Sequence, residues 1–189
     1  MSRQSVLVTG ASGVGGQEVC RQLAEKGYVV RMADIVAPPR EVRSLGEFVR
    51  CDTRTPDDAR AAVEGMGAVI HLAAWHCAHE PPVSDSTIFA VNVDGTYNIL
   101  EAARQEGIKA IVYASSMAYG HGWVYGVTKV IGEDLCRAYH NSFDASIAML
   151  RYHQEGRGPK TSDAVLEVTG APPRSFREFA REHASSWTP

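Results

Sequence analysis

The chain has 189 residues, 44% of them hydrophobic and 22% charged, with a formal net charge of −3. This suits one globular domain with a buried core, and the slight negative balance excludes a nucleic-acid or anionic-membrane footprint. No apolar run is long enough to span a bilayer, no signal-peptide core precedes the first glycine turn, and Cys20, Cys51, Cys77 and Cys136 are scattered, so they read as reduced thiols of a cytoplasmic protein.

The predicted elements alternate. Ser5–Thr9 is a short apolar strand that runs into a glycine-rich turn, and Gly13 to Lys26 reads as a helix closed by Gly27. Tyr28–Ala33 is a second strand with Asp34 at its end. Glu47–Cys51 is a third strand, followed by a helix from Pro56 to Glu64 with proline in its first turn. Ala68–Leu72 is a fourth strand. Thr87 to Gln105 carries Val93, Tyr97 and Leu100 at helical spacing and stops at Gly107. A fifth strand (Ala110–Ala114), a helix (Val124 to His140) and a sixth strand (Ala145–Leu150) complete the series. Such alternation gives an α/β fold, a Rossmann-like doubly wound parallel sheet of about six strands. Residues 1–151 are expected to form this domain and 152–189 a short extension, polar and glycine-rich at first, with one amphipathic helix over Pro173 to His183.

Two motifs carry chemistry. In Thr9-Gly10-Ala11-Ser12-Gly13-Val14-Gly15-Gly16, Gly10 permits a tight turn, Gly13 lets backbone approach a pyrophosphate, and Gly16 permits helix–strand packing. The strand before and the helix after put Ser12, Gly13 and Val14 at a helix N-terminus, where free N–H groups and the helix dipole favour an anion. Asp34, about 20 residues on, is placed to accept both hydroxyls of an adenosine ribose, which favours NAD over NADP. Arg31, Arg40 and Arg43 lie close in sequence and keep the NADP reading open. The second motif is Tyr125-x-x-x-Lys129. One turn apart on a helix, an ammonium favours the phenolate and draws the tyrosine pKa down from about 10, which acid–base chemistry on an alcohol or carbonyl requires.

Six ordered motifs extend this pattern: Thr9-Gly10-x-x-Gly13-x-x-Gly16 with Asp34, Cys51-Asp52, His71-Leu72-Ala73-Ala74, Asn92-Val93-x-Gly95-Thr96, Ser115-Ser116-x-x-Tyr119-Gly120 and Tyr125-x-x-x-Lys129. In these the chain resembles the extended short-chain dehydrogenase/reductase superfamily, of the NAD-dependent epimerase/dehydratase type. The resemblance implies that Asp52 lies beside the adenine, that Leu72, Ala73 and Ala74 line the cofactor channel, and that Asn92 organises a proton-relay water. It also implies that Tyr125 is the acid/base, that Lys129 lowers its pKa and holds the nicotinamide ribose, and that a serine after the fifth strand orients the substrate oxygen. Counting from the strand makes that serine Ser116, and counting back from Tyr119 makes it Ser115. Ser116 is preferred because the strand is the rigid element.

The chain departs from the family pattern in two ways. Ser116 and Tyr125 stand nine positions apart, so the glycine-containing link through Tyr119 to Trp123 has to turn tightly. Only 38 residues follow Arg151, so the substrate domain is expected to be largely absent, and the tail is similar to the closing helix of NmrA-like members. The expected activity is NAD-dependent oxidoreduction at a hydroxyl/keto group of a small, sugar-like substrate. The alternatives are a sugar epimerase or dehydratase that recycles NAD, and a dinucleotide-binding redox sensor without turnover. No metal is expected, since His71, His76, Cys77 and His79 do not complete a closed site. Ile88, Phe89, Tyr97, Val130 and Tyr139 suggest an apolar helix surface and hence a homodimer, as relatives often form.

Overall fold

The computed structural model describes residues 4–76, 81–116 and 123–152. Six strands form one parallel sheet: β1 (Ser5–Thr9), β2 (Val29–Asp34), β3 (Glu47–Arg50), β4 (Ala68–His71), β5 (Ala110–Ser116) and β6 (Ser146–Tyr152), in the order β3-β2-β1-β4-β5-β6. β1 pairs with β2 on one side and β4 on the other, so the winding reverses beside β1. A crevice opens at such a switch point, outside the carboxyl ends of the strands.

Side-chain alternation along the strands builds a core on each face. Leu7, Val69, Ile111 and Tyr113 point into a layer with Ala59, Val63, Ile99, Leu100 and Cys136. Val8, Val30 and Met32 point the other way, onto Cys20 and Val42. The first layer is closed by α3 (Pro56–Val63), α5 (Gly95–Gln105) and α6 (Val124–Phe143), and the second by α1 (Val14–Glu25) and the four-residue α2 (Arg40–Arg43), which the sequence reading missed. Burial pushes the thiols of Cys20, Cys51 and Cys136 up to about 11, 12 and 12, as expected of inert core cysteines.

The expected architecture holds, with differences at its edges. The single helix expected over Thr87 to Gln105 is three pieces: α4 (Asp85–Phe89), a π turn (Ala90–Asp94) and α5. α4 starts at Asp85 because the Ser84 side chain accepts the N–H of Thr87 as its cap. α6 runs past His140 to Phe143 and stops at Asp144, whose φ of 55 is left-handed. No glycine marks that stop, and aspartate is among the few other residues that adopt this conformation readily. β5 continues through Ser115 and Ser116, which pair with Arg151 and Tyr152 of β6. Ile88 and Tyr139, read from sequence as surface residues, are buried. The expected C-terminal helix and most of the link between Ser116 and Trp123 lie outside the described residues, as do Cys77 and His79. Among the described residues no cluster of metal-ligating side chains occurs, and no helix is long and apolar enough to cross a membrane.

Candidate active site

The glycine turn sits where β1 meets β4. Gly10 has a φ of +67, and a Cβ on it would overlap the backbone of Leu72 and Ala73. A Cβ on Gly16 would overlap the carbonyl of Gly10 and the Cα of Ala11, so α1 lies directly against the turn. Gly13 differs: a Cβ there would touch only the carbonyl oxygen of Gly10, at 3.4 Å. Gly13 caps α1 without a side-chain hydrogen bond, no acidic residue lies in the first turn, and Val14 is 90% exposed. Uncapped N–H groups, an unopposed dipole and open space at a helix N-terminus fit a dinucleotide pyrophosphate.

Asp34 ends β2, beside this turn. Its carboxylate accepts the N–H of Ser12 at 2.9 Å and that of Val36 at 3.4 Å, and the Ser12 hydroxyl donates to the carbonyl of Val36. A carboxylate has about four acceptor sites, so two remain for ribose hydroxyls. Of the three nearby arginines, Arg31 is committed elsewhere, to Glu47 at 2.8 Å and to the carbonyls of Ala62 and Glu64. Arg40 and Arg43 lie on α2. Asp52 follows β3 and turns its carboxylate onto the backbone and guanidinium of Arg54, which hold it below the usual carboxylate range. It therefore shapes the entry to α3 on the same edge of the sheet.

Leu72, Ala73 and Ala74 leave β4 half-buried, with the first two fastened to β1 through N–H groups that donate to the Thr9 hydroxyl. Asn92 lies in the π turn and is 1% exposed. It clamps Trp75 by accepting its N–H at 2.8 Å and donating to its carbonyl at 3.0 Å, and donates again to the Thr128 hydroxyl at 3.0 Å. The Asn92 side chain thus ties the segment after β4 to α6.

α6 brings Tyr125 and Lys129 inward, at 8% and 4% exposure. The Lys129 Nζ donates to the carbonyl of Ala114 at 2.9 Å, and lies 5.3 Å from the Tyr113 ring centroid and 5.7 Å from that of Tyr125. An ammonium has three donors, so one carbonyl does not exhaust it. Burial pulls Lys129 down to about 8, which still leaves it mostly charged at neutral pH. The His76 ring stands edge-on to Tyr125 with centroids 4.3 Å apart. Ser116 is the last residue of β5 and is 7% exposed. Thr9, Asp34, His71 and Ser116 end parallel strands, so the turn, the acid and the Tyr125–Lys129 helix share the carboxyl edge. Such an arrangement can hold a dinucleotide and move a proton at a substrate oxygen.

Comparison with known proteins places this edge in a family. The model of the NAD dependent epimerase/dehydratase family matches residues 6–180, and the chain belongs to that family. It is 32% identical over 162 residues to the uronate dehydrogenase of Agrobacterium fabrum, covering 77% of this chain and 59% of that protein. It is 31% identical over 170 residues to the 2-alkyl-3-oxoalkanoate reductase of Stenotrophomonas maltophilia, covering 89% and 50%. Among solved structures, UDP-glucose 4-epimerase from Brucella ovis in complex with NAD superposes with a TM-score of 0.69 at 26% identity, covering 80% of this chain and 52% of that one. The chain therefore spans between half and three-fifths of the length of these relatives.

One site residue escaped the sequence reading. Glu133, a turn beyond Lys129 on α6, is buried and accepts from Ser115 at 2.6 Å, from Arg151 at 2.9 Å and from Arg137 at 3.0 Å. Ser115 is thereby engaged in fastening β5 and β6 to α6. The signal was present as Lys129-x-x-x-Glu133, the spacing that continues one helix face. Hydrogen bonds from Arg151, then Ser115, hold the Glu133 carboxyl down to about 2, against 4.5 ordinarily. A depressed carboxylate stabilises the fold fully above its unfolded pKa and loses that contribution as pH falls through the folded one. Glu133→Gln is thus expected to unfold about 1–3 kcal/mol more easily at pH 7, the magnitude for hydrogen bonds to a charged group. The deficit should shrink as pH drops from about 4.5 toward 2, although Glu101, also held to about 2 by Arg104, adds acid sensitivity to both proteins. Urea unfolding at pH 7, 4 and 3 checks this, and a deficit that does not change with pH would show that the carboxylate charge contributes nothing.

Proposed function

We propose that this chain carries the catalytic core of an NAD-dependent oxidoreductase acting on a hydroxyl/keto group of a small, sugar-like substrate. The observation that carries the reading is the buried Lys129 ammonium, seated against Ala114 and beside Tyr125, directly behind the strand end that bears Ser116. A buried charge is costly, and one placed next to a phenol at the end of a parallel sheet has a chemical use. The relatives named above comprise a dehydrogenase, a reductase and an epimerase, whose names share chemistry at carbon bearing oxygen.

In this reading Gly10, Ser12, Gly13, Val14 and Gly16 cradle the pyrophosphate, Asp34 accepts the adenosine ribose hydroxyls, Asp52 borders the adenine, and Leu72, Ala73 and Ala74 line the channel. When bound, NAD supplies the hydride acceptor. Ser116 orients the substrate oxygen, and Tyr125 takes its proton during oxidation or returns it during reduction. Lys129 keeps the phenolate accessible through its charge and holds the nicotinamide ribose with its remaining donors. Asn92 positions Trp75 and Thr128, and through them the wall facing Tyr125; an ordered proton-relay water belongs beside it. Residues 1–151 act as the cofactor domain with its catalytic helix, 152–189 as an extension, and the reduced core cysteines suit the cytoplasm. If reduced cofactor never accumulates although substrate is converted, the chain is an epimerase or dehydratase that recycles NAD. If NAD binds and no alcohol or ketone is turned over, the sensor reading replaces both.

The Tyr125 hydroxyl is the reacting group in this scheme. Tyr125→Phe should lower kcat about 100-fold or more while the dissociation constant for NAD changes by less than about threefold, since acid–base catalysis typically supplies 10²–10⁴. Absorbance of reduced cofactor over a panel of uronic acids, aldoses and short alcohols, with calorimetry for binding, measures both. Full activity in the phenylalanine variant would remove Tyr125 from the mechanism.

Cofactor choice follows from Asp34. A 2′-phosphate beside it would place two anions within about 4 Å, at roughly 1–4 kcal/mol for surface-like dielectric. Arg31 is in no position to offset that, given its bonds to Glu47 and to the carbonyls of Ala62 and Glu64. NAD(H) is expected to bind at least about tenfold more tightly than NADP(H), and Asp34→Ala to narrow the gap. Equal calorimetric affinities for the two cofactors in the unmutated protein would show that Asp34 does not meet the ribose.

The dimer reading loses the buried Ile88 and Tyr139, keeps Phe89, Tyr97 and Val130, and gains Val127. Phe89, Tyr97, Val127 and Val130 are 42%, 48%, 53% and 40% exposed on α4, α5 and α6. Apolar side chains gathered on neighbouring helices mark an interaction surface. Light scattering should give twice the chain mass at micromolar concentration, and Tyr97→Glu with Val130→Glu should return a monomer. A monomer in the unmutated protein removes the dimer.

A further inference from the structure

His71 is 2% exposed and lies between the two halves of the site without belonging to either. Its surroundings determine where its protons are. The Thr9 hydroxyl oxygen accepts the N–H of Ala73 at 3.2 Å and a share of the Leu72 N–H, which lies 3.2 Å from both that oxygen and the Thr9 carbonyl oxygen. With backbone N–H groups on its acceptor side, the hydroxyl turns its own hydrogen to the His71 Nδ1, 2.7 Å away, which leaves Nδ1 without a proton. The other side of the ring gives the same answer independently. The Thr96 hydroxyl sits 2.6 Å from the carbonyl oxygen of Asn92, which can only accept, so Thr96 donates there. What Thr96 offers His71, at 3.1 Å from Nε2, is therefore a lone pair, and Nε2 bears the hydrogen.

This run ends on the Asn92 backbone carbonyl, and a second run of the same sense starts from the Asn92 side-chain amide. Asn92 donates through Nδ2 to the Thr128 hydroxyl at 3.0 Å, and Thr128 donates to the carbonyl of Tyr125 at 2.7 Å. Thr9, His71, Thr96, Asn92 and Thr128 are all 2% exposed or less. The series begins at the residue before Gly10 and ends at the backbone of Tyr125. Every hydroxyl in it has its donor direction assigned, and the two ring nitrogens are not interchangeable.

We infer that His71 is a positioning residue, fixed as the neutral Nε2–H tautomer, that joins the glycine turn to the Tyr125 helix through two hydrogen-bond runs of the same polarity meeting at Asn92. Protonating Nδ1 would set a donor against a hydroxyl that already accepts backbone N–H groups, and burial together with the nearby Lys129 charge holds the imidazole down to about 3. A chain of buried bonds in low dielectric is stiff, and loss of one link leaves the next group unsatisfied. The two halves of the site therefore keep their spacing through side chains as well as through the sheet. The role of the series in cofactor binding rests on the proposed function, whereas its existence does not.

Nitrogen-15 NMR of the uniformly labelled full chain tests both parts. The His71 ring, identified by its loss in His71→Gln, should show a protonated Nε2 and a bare Nδ1 throughout pH 5–8. His140 provides the contrast, because its Nδ1 lies 2.8 Å from the carbonyl oxygen of Ala145 and must donate to it. An Nδ1–H tautomer at His71, or titration near the ordinary 6.5, overturns the assignment. Thr96→Val cuts the series at its centre while keeping side-chain shape. It should move the amide signals of Leu72 and Ala73 at one end and of Tyr125 and Thr128 at the other, and raise the dissociation constant for NAD about threefold or more. Thr96→Ser should reverse all of these. Signals that move at one end only, or a serine variant as impaired as valine, overturn the positioning role. If the unmutated chain shows the tautomer and the coupled shifts but binds no NAD, the proposed function fails and the positioning of a cofactor site fails with it, while the tautomer stands.

Discussion

The backbones of β1 and β4 converge so tightly at their carboxyl ends that position 10 has no room for a side chain. Most of the site depends on that approach. It lets the Thr9 hydroxyl collect two N–H groups from the segment after β4, and it brings α1 up against the turn with its first N–H groups pointing outward. The switch in winding order beside β1 opens the crevice those groups face. A wider separation here would take the N–H groups of Leu72 and Ala73 away from the Thr9 hydroxyl.

The second half of the site is organised by polar side chains that the core encloses completely. Lys129 and Glu133 occupy successive turns of α6, one reaching the carbonyl of Ala114 and the other the Ser115 hydroxyl. Together they attach the end of β5 to the helix by opposite charges. Arg151 extends the attachment to β6. Arg151 and Arg137 supply the counter-charge that offsets the burial of Glu133.

The sheet and its helices were legible in the sequence because short apolar runs, glycine stops and helical spacing all report local structure, and here they agree with the global fold. The glycine turn, Asp34, Tyr125 and Lys129 were legible for the same reason, since each motif is short and its chemistry needs those residue types at that spacing. What escaped is non-local. Glu133 reads as an ordinary charged residue on a helix until Ser115 and Arg151 are brought to it from two strands. Thr9, Thr96 and Thr128 read as small polar residues, and their partners lie 62, 25 and 36 positions away. Ile88 and Tyr139 were misplaced because amphipathic spacing shows that a helix has an inner face without showing how wide the neighbours make it. The left-handed stop at Asp144 was missed because glycine, the usual marker, is absent.

The π turn at Ala90–Asp94 puts one extra residue into a helical run from Asp85 to Gln105. Each residue of a regular helix advances about 100° around the axis. The insertion is therefore a phase shift, and it allows one rod to serve two masters out of step. Downstream, Ile99 and Leu100 face the sheet, while upstream Ile88 seats in the core and Asn92 turns toward Trp75 and Thr128. A straight helix of the same composition could bring one of these sets into register and would rotate the other away. The irregularity acts as a gear between scaffold and site, and it carries Asn92, the residue whose side chain makes that connection.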